Sequence, residues 1–176
     1  MSELAVAVDL PLLIIRVTVG AILVIHGLRH LSQDNFGKAW YESIGLRPAS
    51  LYVWLFAIPE TLAGVLLILG LATPIACTGA VFTMLIATFV NHWRFGFLIS
   101  RPGGGYEYVL TLTLISIALS ASGAGAWSLD ALLGWWQPGG WIGLAIGGGG
   151  GVLWFLITII TSWRPSKVPG YWPAKP

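Results

Sequence analysis

Five apolar stretches, each close to the length of a membrane-spanning helix, constrain this chain more than any other feature. A helix needs about 20 apolar residues to cross the hydrocarbon core of a bilayer. Only 9% of the 176 residues are charged, whereas a soluble domain carries about 25%. The sequence therefore predicts an all-α integral membrane protein with a single transmembrane domain. The predicted spans are approximately residues 10–28, 51–71, 74–93, 106–122 and 141–163.

The basic residues predict the orientation of these helices. If the helices alternate in direction, residues 1–9, 72–73 and 123–140 share one face, which contains no Lys or Arg. Eight of the nine basic residues then lie on the opposite face, and the ninth, Arg16, lies inside the first helix. Because Lys and Arg concentrate on the cytoplasmic side, we expect the N-terminus outside and the C-terminus in the cytoplasm. Residues 1–9 also lack the basic start of a signal peptide, so we expect the first helix to be retained.

Two charged residues within the predicted spans are candidates for function. An ionisable side chain inside a bilayer is costly and marks a functional site by default. Arg16 lies about two turns into the first helix, and Glu60 lies near the middle of the second, next to Pro59. Their depths then differ by roughly 8 Å at the rise of an α-helix. We expect an Arg16–Glu60 pair, which serves either as a structural link between helices or as the lining of a ligand or proton path.

A second set of polar residues gathers at the predicted cytoplasmic ends of three helices. Its members are His26, His30, Asn91, His92, Tyr106, Glu107 and Tyr108. His26 and His30 share a helix face because they are four residues apart. Such a set suits a quinone head group, a metal or a haem, and it also suits an ordinary hydrated helix rim. No metal site is predicted, since two histidines without a third ligand are weak evidence for one.

A ridge of glycines marks the last predicted helix. Glycine recurs every four residues, at Gly139, Gly143, Gly147 and Gly151. This spacing of small residues lets another helix, or a flat ligand, approach the backbone closely. We expect a docking surface, either for helices of the same bundle or for another subunit.

Cysteine content and charge limit the possible chemistry and partners. Cys77 is the only cysteine, which excludes a dithiol pair and a thiolate-rich metal site within one chain. Redox chemistry would therefore need a bound organic cofactor, His and carboxylate ligands, or a partner subunit, and no intrinsic cofactor is predicted. The net charge is only +2 and the basic residues form no stripe, so nucleic acid is not an expected partner.

Three motifs resemble the DoxX family of small bacterial membrane proteins. The first helix reads R-V-T-V-G-x-x-x-x-x-x-G from Arg16 to Gly27, and the second reads P-E-x-x-A-G-x-L-L-I-L-G-L-A-T-P from Pro59 to Pro74. The third motif, G-A-G-A-W-S-L-D, ends at Asp130. The resemblance covers roughly residues 10–130 and implies a four-helix membrane bundle, to which the fifth helix is an addition. The positions that match the family are Arg16, Gly27, Glu60, Gly64, Gly125, Ser128, Leu129 and Asp130.

The resemblance also implies a function, because the family is related to subunits of thiosulfate:quinone oxidoreductase. We expect an accessory or structural subunit of an electron-transfer complex in the bacterial inner membrane, close to a quinone site. Its partners would be the lipid bilayer and other membrane subunits. One alternative is a stand-alone enzyme that reduces quinone with a small donor such as thiosulfate. Another is a small transporter or lipid-binding protein.

Overall fold

Five long helices and two short ones make up the architecture, seen in a computed structural model that describes residues 3–31, 37–134 and 137–168. Two of the long helices contain a π-helical turn, at Ala87–His92 and at Ala145–Gly149. The described ranges contain no strand, only an isolated bridge between Leu46 and Trp163. The helices are α1 (Glu3–His30), α2 (Lys38–Ser43), α3 (Ala49–Leu69), α4 (Thr73–Phe95), α5 (Glu107–Ser122), α6 (Leu129–Leu132) and α7 (Gly140–Ser162).

The predicted fold class is confirmed. Four helices, α1, α3, α4 and α7, are long and apolar enough to cross a membrane. The apolar helix α5 has 16 residues, a length of about 24 Å, and is the shortest of the five predicted spans. The structure begins α1 at Glu3 rather than near residue 10.

Helices α1 and α3 pack together at unusually short range because glycines meet at their crossing. A β-carbon on Gly20 would lie 2.6 Å from the carbonyl oxygen of Gly64, and one on Gly27 would lie 2.6 Å from the backbone nitrogen of Thr61. Side chains at these positions would push the helices apart. These contacts also set the register, since Gly27 of α1 lies level with Thr61 of α3.

Helix α4 occupies the centre of the bundle, where it packs against α3, α5 and α7. Most of its residues are buried, as the position requires. An aromatic contact also joins α4 to α7. The ring of Phe82 stacks on that of Trp154, with a centroid distance of 4.1 Å.

The glycine ridge of α7 faces α4 and α5 of the same chain. A β-carbon on Gly143 would meet the carbonyl oxygen of Ser120, and one on Gly151 would lie 2.6 Å from the side chain of Val81. At the π-helical turn between them, the hydroxyl of Thr78 donates to the carbonyl of Ile146 at 2.8 Å. These contacts bury Gly143, Gly147 and Gly151 within the same chain, whereas Gly139, at the start of the ridge, is exposed.

The end of α7 fastens the loop that carries α2. The backbone nitrogen of Arg164 donates to the Gly45 carbonyl at 2.7 Å, and the Arg47 nitrogen donates to the Ser162 carbonyl at 3.0 Å. The indole nitrogen of Trp163 donates to the Ile44 carbonyl at 3.0 Å. The C-terminal helix thus holds α2 against the end of the bundle where the basic loops lie.

Candidate functional site

A cavity of about 380 Å³ lies inside the bundle, in the half nearest the basic loops. Its walls come from α1, α2, α3, α4 and α5 and are mainly apolar, with side chains such as Ile22, Phe56 and Leu112. Binding sites for small molecules typically have volumes of 300–1,000 Å³, apolar walls and a few placed polar groups. The cavity has the volume and lining of such a site.

A buried chain of three side chains reaches the cavity wall through two of its members, His30 and Glu60. The hydroxyl of Tyr41 lies 2.7 Å from Nδ1 of His30, and Nε2 of His30 lies 3.0 Å from Oε2 of Glu60. The three residues come from α2, α1 and α3 and are 0%, 9% and 2% exposed. We call Tyr41, His30 and Glu60 the triad.

The triad keeps both hydrogen bonds in two protonation states. When His30 is neutral, Tyr41 donates to Nδ1 and the Nε2–H group donates to the carboxylate of Glu60. When the imidazole is protonated, both of its nitrogens donate and the Tyr41 oxygen accepts. Burial raises the pKa of Tyr41, and the nearby Glu60 charge raises it further, so Tyr41 remains a phenol at neutral pH. One proton therefore enters or leaves the triad without breaking its connections.

The predicted pair between Arg16 and Glu60 does not form, and each residue has other partners. Glu60 pairs with His30, as described above, whereas Arg16 donates to the carbonyl oxygens of Leu67 at 3.2 Å and Trp127 at 2.6 Å. The register explains the difference. Glu60 lies almost level with Gly27 of α1, and Arg16 is 11 residues away from Gly27, about 16 Å along the helix. This separation is twice the predicted one and exceeds the reach of an arginine side chain.

Arg16 instead belongs to a structural junction at the opposite end of the bundle, together with the third motif. Asp130 accepts hydrogen bonds from the backbone nitrogens of Ala72 at 2.9 Å and Thr73 at 3.4 Å, which caps the start of α4. Gly70 has a φ of 65°, and a β-carbon there would overlap the guanidinium of Arg16.

The other residues of the third motif lie in the same junction. The Ser128 hydroxyl donates to the Gly125 carbonyl at 2.6 Å and accepts from the Ala131 nitrogen at 3.1 Å, as the cap of α6. Leu129 is the first residue of α6 and is half-buried. None of these residues lines the cavity.

The structure brings most of the second polar set into the cavity wall. Tyr106 and Glu107 are exceptions, because Tyr106 stacks on Trp93 at 4.9 Å and Glu107 accepts from the Ile99 nitrogen at 2.9 Å. In the described parts of the chain, no three His, Cys, Asp or Glu side chains converge as metal ligands. The members that line the cavity are His26, His30, Asn91, His92 and Tyr108.

The α4 wall of the cavity is held in one orientation by hydrogen bonds. His92 Nδ1 lies 2.8 Å from the carbonyl oxygen of Gly104 and donates to it. Its Nε2 atom then accepts from Asn91 Nδ2 at 3.3 Å. Both residues belong to the π-helical turn of α4, a kind of turn that often occurs at functional sites.

One side of the cavity lies at the surface of the bundle, where two of its lining residues are partly exposed. His26 of α1 and Tyr108 of α5 flank this side, with ring centroids 6.5 Å apart. Tyr108 is 37% exposed, and the neighbouring lining residue Ile99 is 51% exposed. Because helix sides face lipid in a membrane, the exposed part of Tyr108 connects the cavity lining with the lipid-facing surface.

Sequence reasoning missed Trp40, Tyr41 and Phe56. These aromatic residues surround His30, with ring centroids 6.5, 5.9 and 5.8 Å from its own. The adjacent pair Trp40–Tyr41 within a polar loop was the one signal available. Phe56 carried none, since it lies in a continuous apolar stretch.

The family model DoxX matches residues 11–93 of the chain. This confirms the resemblance inferred from the sequence for that stretch, which contains the triad and most of the polar cavity wall. The match ends before Tyr108, the third motif and α7. No curated protein and no solved structure matches the chain.

Proposed function

We propose that this chain, which carries a DoxX domain over residues 11–93, is a membrane subunit of a bacterial electron-transfer complex that holds the head group of a lipid-soluble quinone. In this proposal the cavity beside the triad is the binding site. The protein resides in the inner membrane, with the basic loops in the cytoplasm.

The observation that carries the proposal is an apolar cavity that has hydrogen-bonding groups from two helices in its wall and reaches the surface of the bundle at Tyr108. Glu60 lies on the α3 wall, and Asn91 and His92 lie on the α4 wall. A quinone head group is a flat apolar ring with an oxygen at each end, which matches this distribution. Its isoprenoid tail would extend past His26 and Tyr108 into the lipid.

The assignment as a subunit, rather than a complete enzyme, follows from the residues that would have to supply electrons. Cys77 is buried and is the single cysteine, so the chain holds no dithiol pair. Electrons for a quinone in this cavity would therefore come from a redox group on another subunit. The alternative of a thiosulfate-dependent enzyme needs an anion site, for which the sequence offers Arg16 or the loop that carries Arg94 and Arg101. Arg16 is completely buried, engages two carbonyl oxygens and lies away from the cavity.

A small transporter is the second candidate, and Glu60 favours it. An ionisable residue at membrane depth often belongs to the path of a substrate or a proton. In that case the cavity would be the substrate-binding site of the transporter, and it would open alternately towards each side of the membrane.

Binding of a short-chain quinone by the purified full-length protein tests the proposal. Trp40 lines the cavity, so quenching of tryptophan fluorescence by decylubiquinone in nanodiscs reports occupancy. Ala87→Phe fills the cavity, and Ala118→Phe places the same ring on the exposed surface of α5. We expect Ala87→Phe to weaken binding at least about tenfold, a loss of roughly 1.4 kcal/mol, and Ala118→Phe to leave it unchanged.

Two further outcomes discriminate between the candidates. Extraction of the native membrane in a mild detergent should recover the chain together with cofactor-bearing subunits. If the wild-type protein binds no quinone, or if both phenylalanine variants bind equally well, the quinone site is wrong. Should the chain purify alone and move a solute into proteoliposomes, the transporter replaces the subunit.

A further inference from the structure

The carboxyl group of Glu60 is placed to form a hydrogen bond with whatever occupies the cavity. We infer that its protonation state selects between the two redox forms of the ligand, so that the protonated carboxyl binds a quinone and the carboxylate binds the corresponding quinol. This inference rests on the proposed function, because it names the regulation of the same site.

The first support is the unequal use of the two carboxyl oxygens. Oε2 of Glu60 lies 3.0 Å from His30. Among the described residues, His30 is the only hydrogen-bonding partner of Glu60, and Oε1 makes no hydrogen bond with the protein. Glu60 is 2% exposed and lines the cavity. Oε1 therefore has its hydrogen-bonding capacity available to a ligand in the cavity.

The second support is that the triad tolerates a change of one proton at this oxygen. With His30 neutral, its Nε2–H group donates to Oε2 whether Oε1 is protonated or not. Tyr41 donates to Nδ1 in both states, at a distance of 2.7 Å. The change in charge therefore requires no rearrangement of the protein. The triad orients Glu60 and leaves Oε1 as the group that changes between donor and acceptor.

The third support is that Glu60 is the one carboxyl group among the residues that line the cavity. The other titratable groups among the described lining residues are His30 of the triad, His26 of α1, His92 of α4 and Tyr108 of α5. The hydrogen bonds of His92 to Gly104 and Asn91 fix its Nε2 atom as an acceptor in the neutral form. His26 has no hydrogen bond within the described residues and is the rival to be separated by experiment.

The chemistry of the two ligand forms then predicts opposite pH dependences. A quinone oxygen only accepts hydrogen bonds, so it needs the protonated carboxyl group as a donor. A quinol hydroxyl donates, and it binds the carboxylate more strongly because hydrogen bonds to charged groups are the stronger ones. Quinone binding should therefore weaken as the pH rises, whereas quinol binding should strengthen.

The experiment measures the dissociation constants of decylubiquinone and anaerobically reduced decylubiquinol between pH 5.5 and 8.5, with the full chain in nanodiscs. For one linked proton, we expect each constant to change by up to about tenfold per pH unit, in opposite directions. Glu60→Gln should remove both slopes, because the amide both donates and accepts without titrating. His26→Gln should retain both slopes. Tyr41→Phe should retain them and displace the pH at which they level off.

The possible failures are distinguishable. Absence of binding of either form to the wild-type protein contradicts the proposed function itself. Binding of both forms with parallel or flat pH profiles contradicts only the selection by Glu60, and so does loss of the slopes in His26→Gln. If Glu60→Gln does not fold, the profile of Tyr41→Phe decides: an unchanged profile overturns the inference, and a displaced one supports it.

Discussion

Arg16 and Glu60 are both charged residues in membrane-spanning helices, and both are almost completely buried. Their neighbours give them different parts in the molecule. Arg16 is enclosed by backbone carbonyls of Leu67 and Trp127 at a helix junction. Glu60 has one hydrogen-bonding partner and a cavity in front of it. The number of hydrogen bonds that each side chain already makes with the protein distinguishes the two residues. Arg16 stabilises the structure, whereas Glu60 can still bind a ligand.

The junction predicts that Arg16 contributes stability and not ligand affinity. Arg16→Met retains the approximate volume and loses two hydrogen bonds from a charged group. Such bonds contribute roughly 1.5–3 kcal/mol each, so we expect the free energy of unfolding to fall by about 3 kcal/mol. Val17→Met, on the exposed side of α1, is the control and should have little effect. Denaturant unfolding and quinone titration measure the two quantities, and equal stability of both variants would contradict the prediction.

The raised pKa of Tyr41 predicts a loss of stability at alkaline pH. In the unfolded chain the phenol ionises near pH 10, whereas burial and the Glu60 charge keep the folded form protonated above that pH. The folded state then binds more protons than the unfolded state, so stability is complete below about pH 10 and declines as the pH rises further. The thermal midpoint should fall between pH 9.5 and 11, and less steeply in Tyr41→Phe. A Tyr106→Phe control should fall as steeply as the wild type.

At the scale of helices, the regular spacing of glycines in α7 allows this helix to pack closely against α4 and α5. The ridge lies against Ser120 of α5 and Cys77, Thr78 and Val81 of α4. The same helix then continues to Trp163, which holds the loop of α2. A helix outside the DoxX match therefore supports the position of Tyr41 and, through it, the triad.

The ridge predicts different effects for two neighbouring glycines. A β-carbon on Gly147 would lie 3.0 Å from both Cβ of Cys77 and the Pro74 carbonyl oxygen and would overlap Ser120, whereas one on Gly149 would meet nothing within 4 Å. Overpacking costs roughly 1–3 kcal/mol, so Gly147→Ala should lower the thermal midpoint. Gly149→Ala should leave it unchanged or raise it, because alanine favours a helix over glycine. Equal midpoints for the two variants would show that the ridge does not pack as described.

At the scale of the whole molecule, the alternation of helices assigns the charged loops to one end. The loops 37–48 and 96–106 and the segment 163–168 share the end nearest the cavity, and the backbone bond from Arg164 to Gly45 joins two of them. The opposite end is joined by Asp9, whose carboxylate accepts from the Ala126 nitrogen at 2.8 Å. This separation is the arrangement on which the positive-inside rule acts.

That arrangement predicts which loops face the cytoplasm. In a Cys77→Ala background, Ser100→Cys lies in the basic loop after α4, and Ala126→Cys lies in the loop at the opposite end, both at exposed positions. A membrane-impermeant maleimide should label Ala126→Cys in intact cells and Ser100→Cys only after permeabilisation. The reverse pattern would place the cavity on the outer side and invert the orientation.

The polar residues of the site divide into those that local patterns predicted and those that required the fold. His26, His30, Asn91 and His92 were predicted together because each lies near the same end of an apolar stretch, and helix alternation alone brings such ends to one depth. The pairing of Glu60 required the register of α1 on α3, which depends on the contact of Gly27 with Thr61. Tyr41 required the position of α2, which bonds to the end of α7 determine.

The sequence by itself determined that the chain is a helical membrane protein, how many apolar helices it contains and which loops carry the basic charge. These properties follow from hydrophobicity and length, which act along the chain and need no knowledge of neighbours. Only the tertiary structure decided that Arg16 stabilises a junction and that Glu60 pairs with His30. It also decided that a cavity lies beside Glu60 and His30. Those outcomes depend on helix register to within one turn, and close contacts between residues distant in sequence set that register.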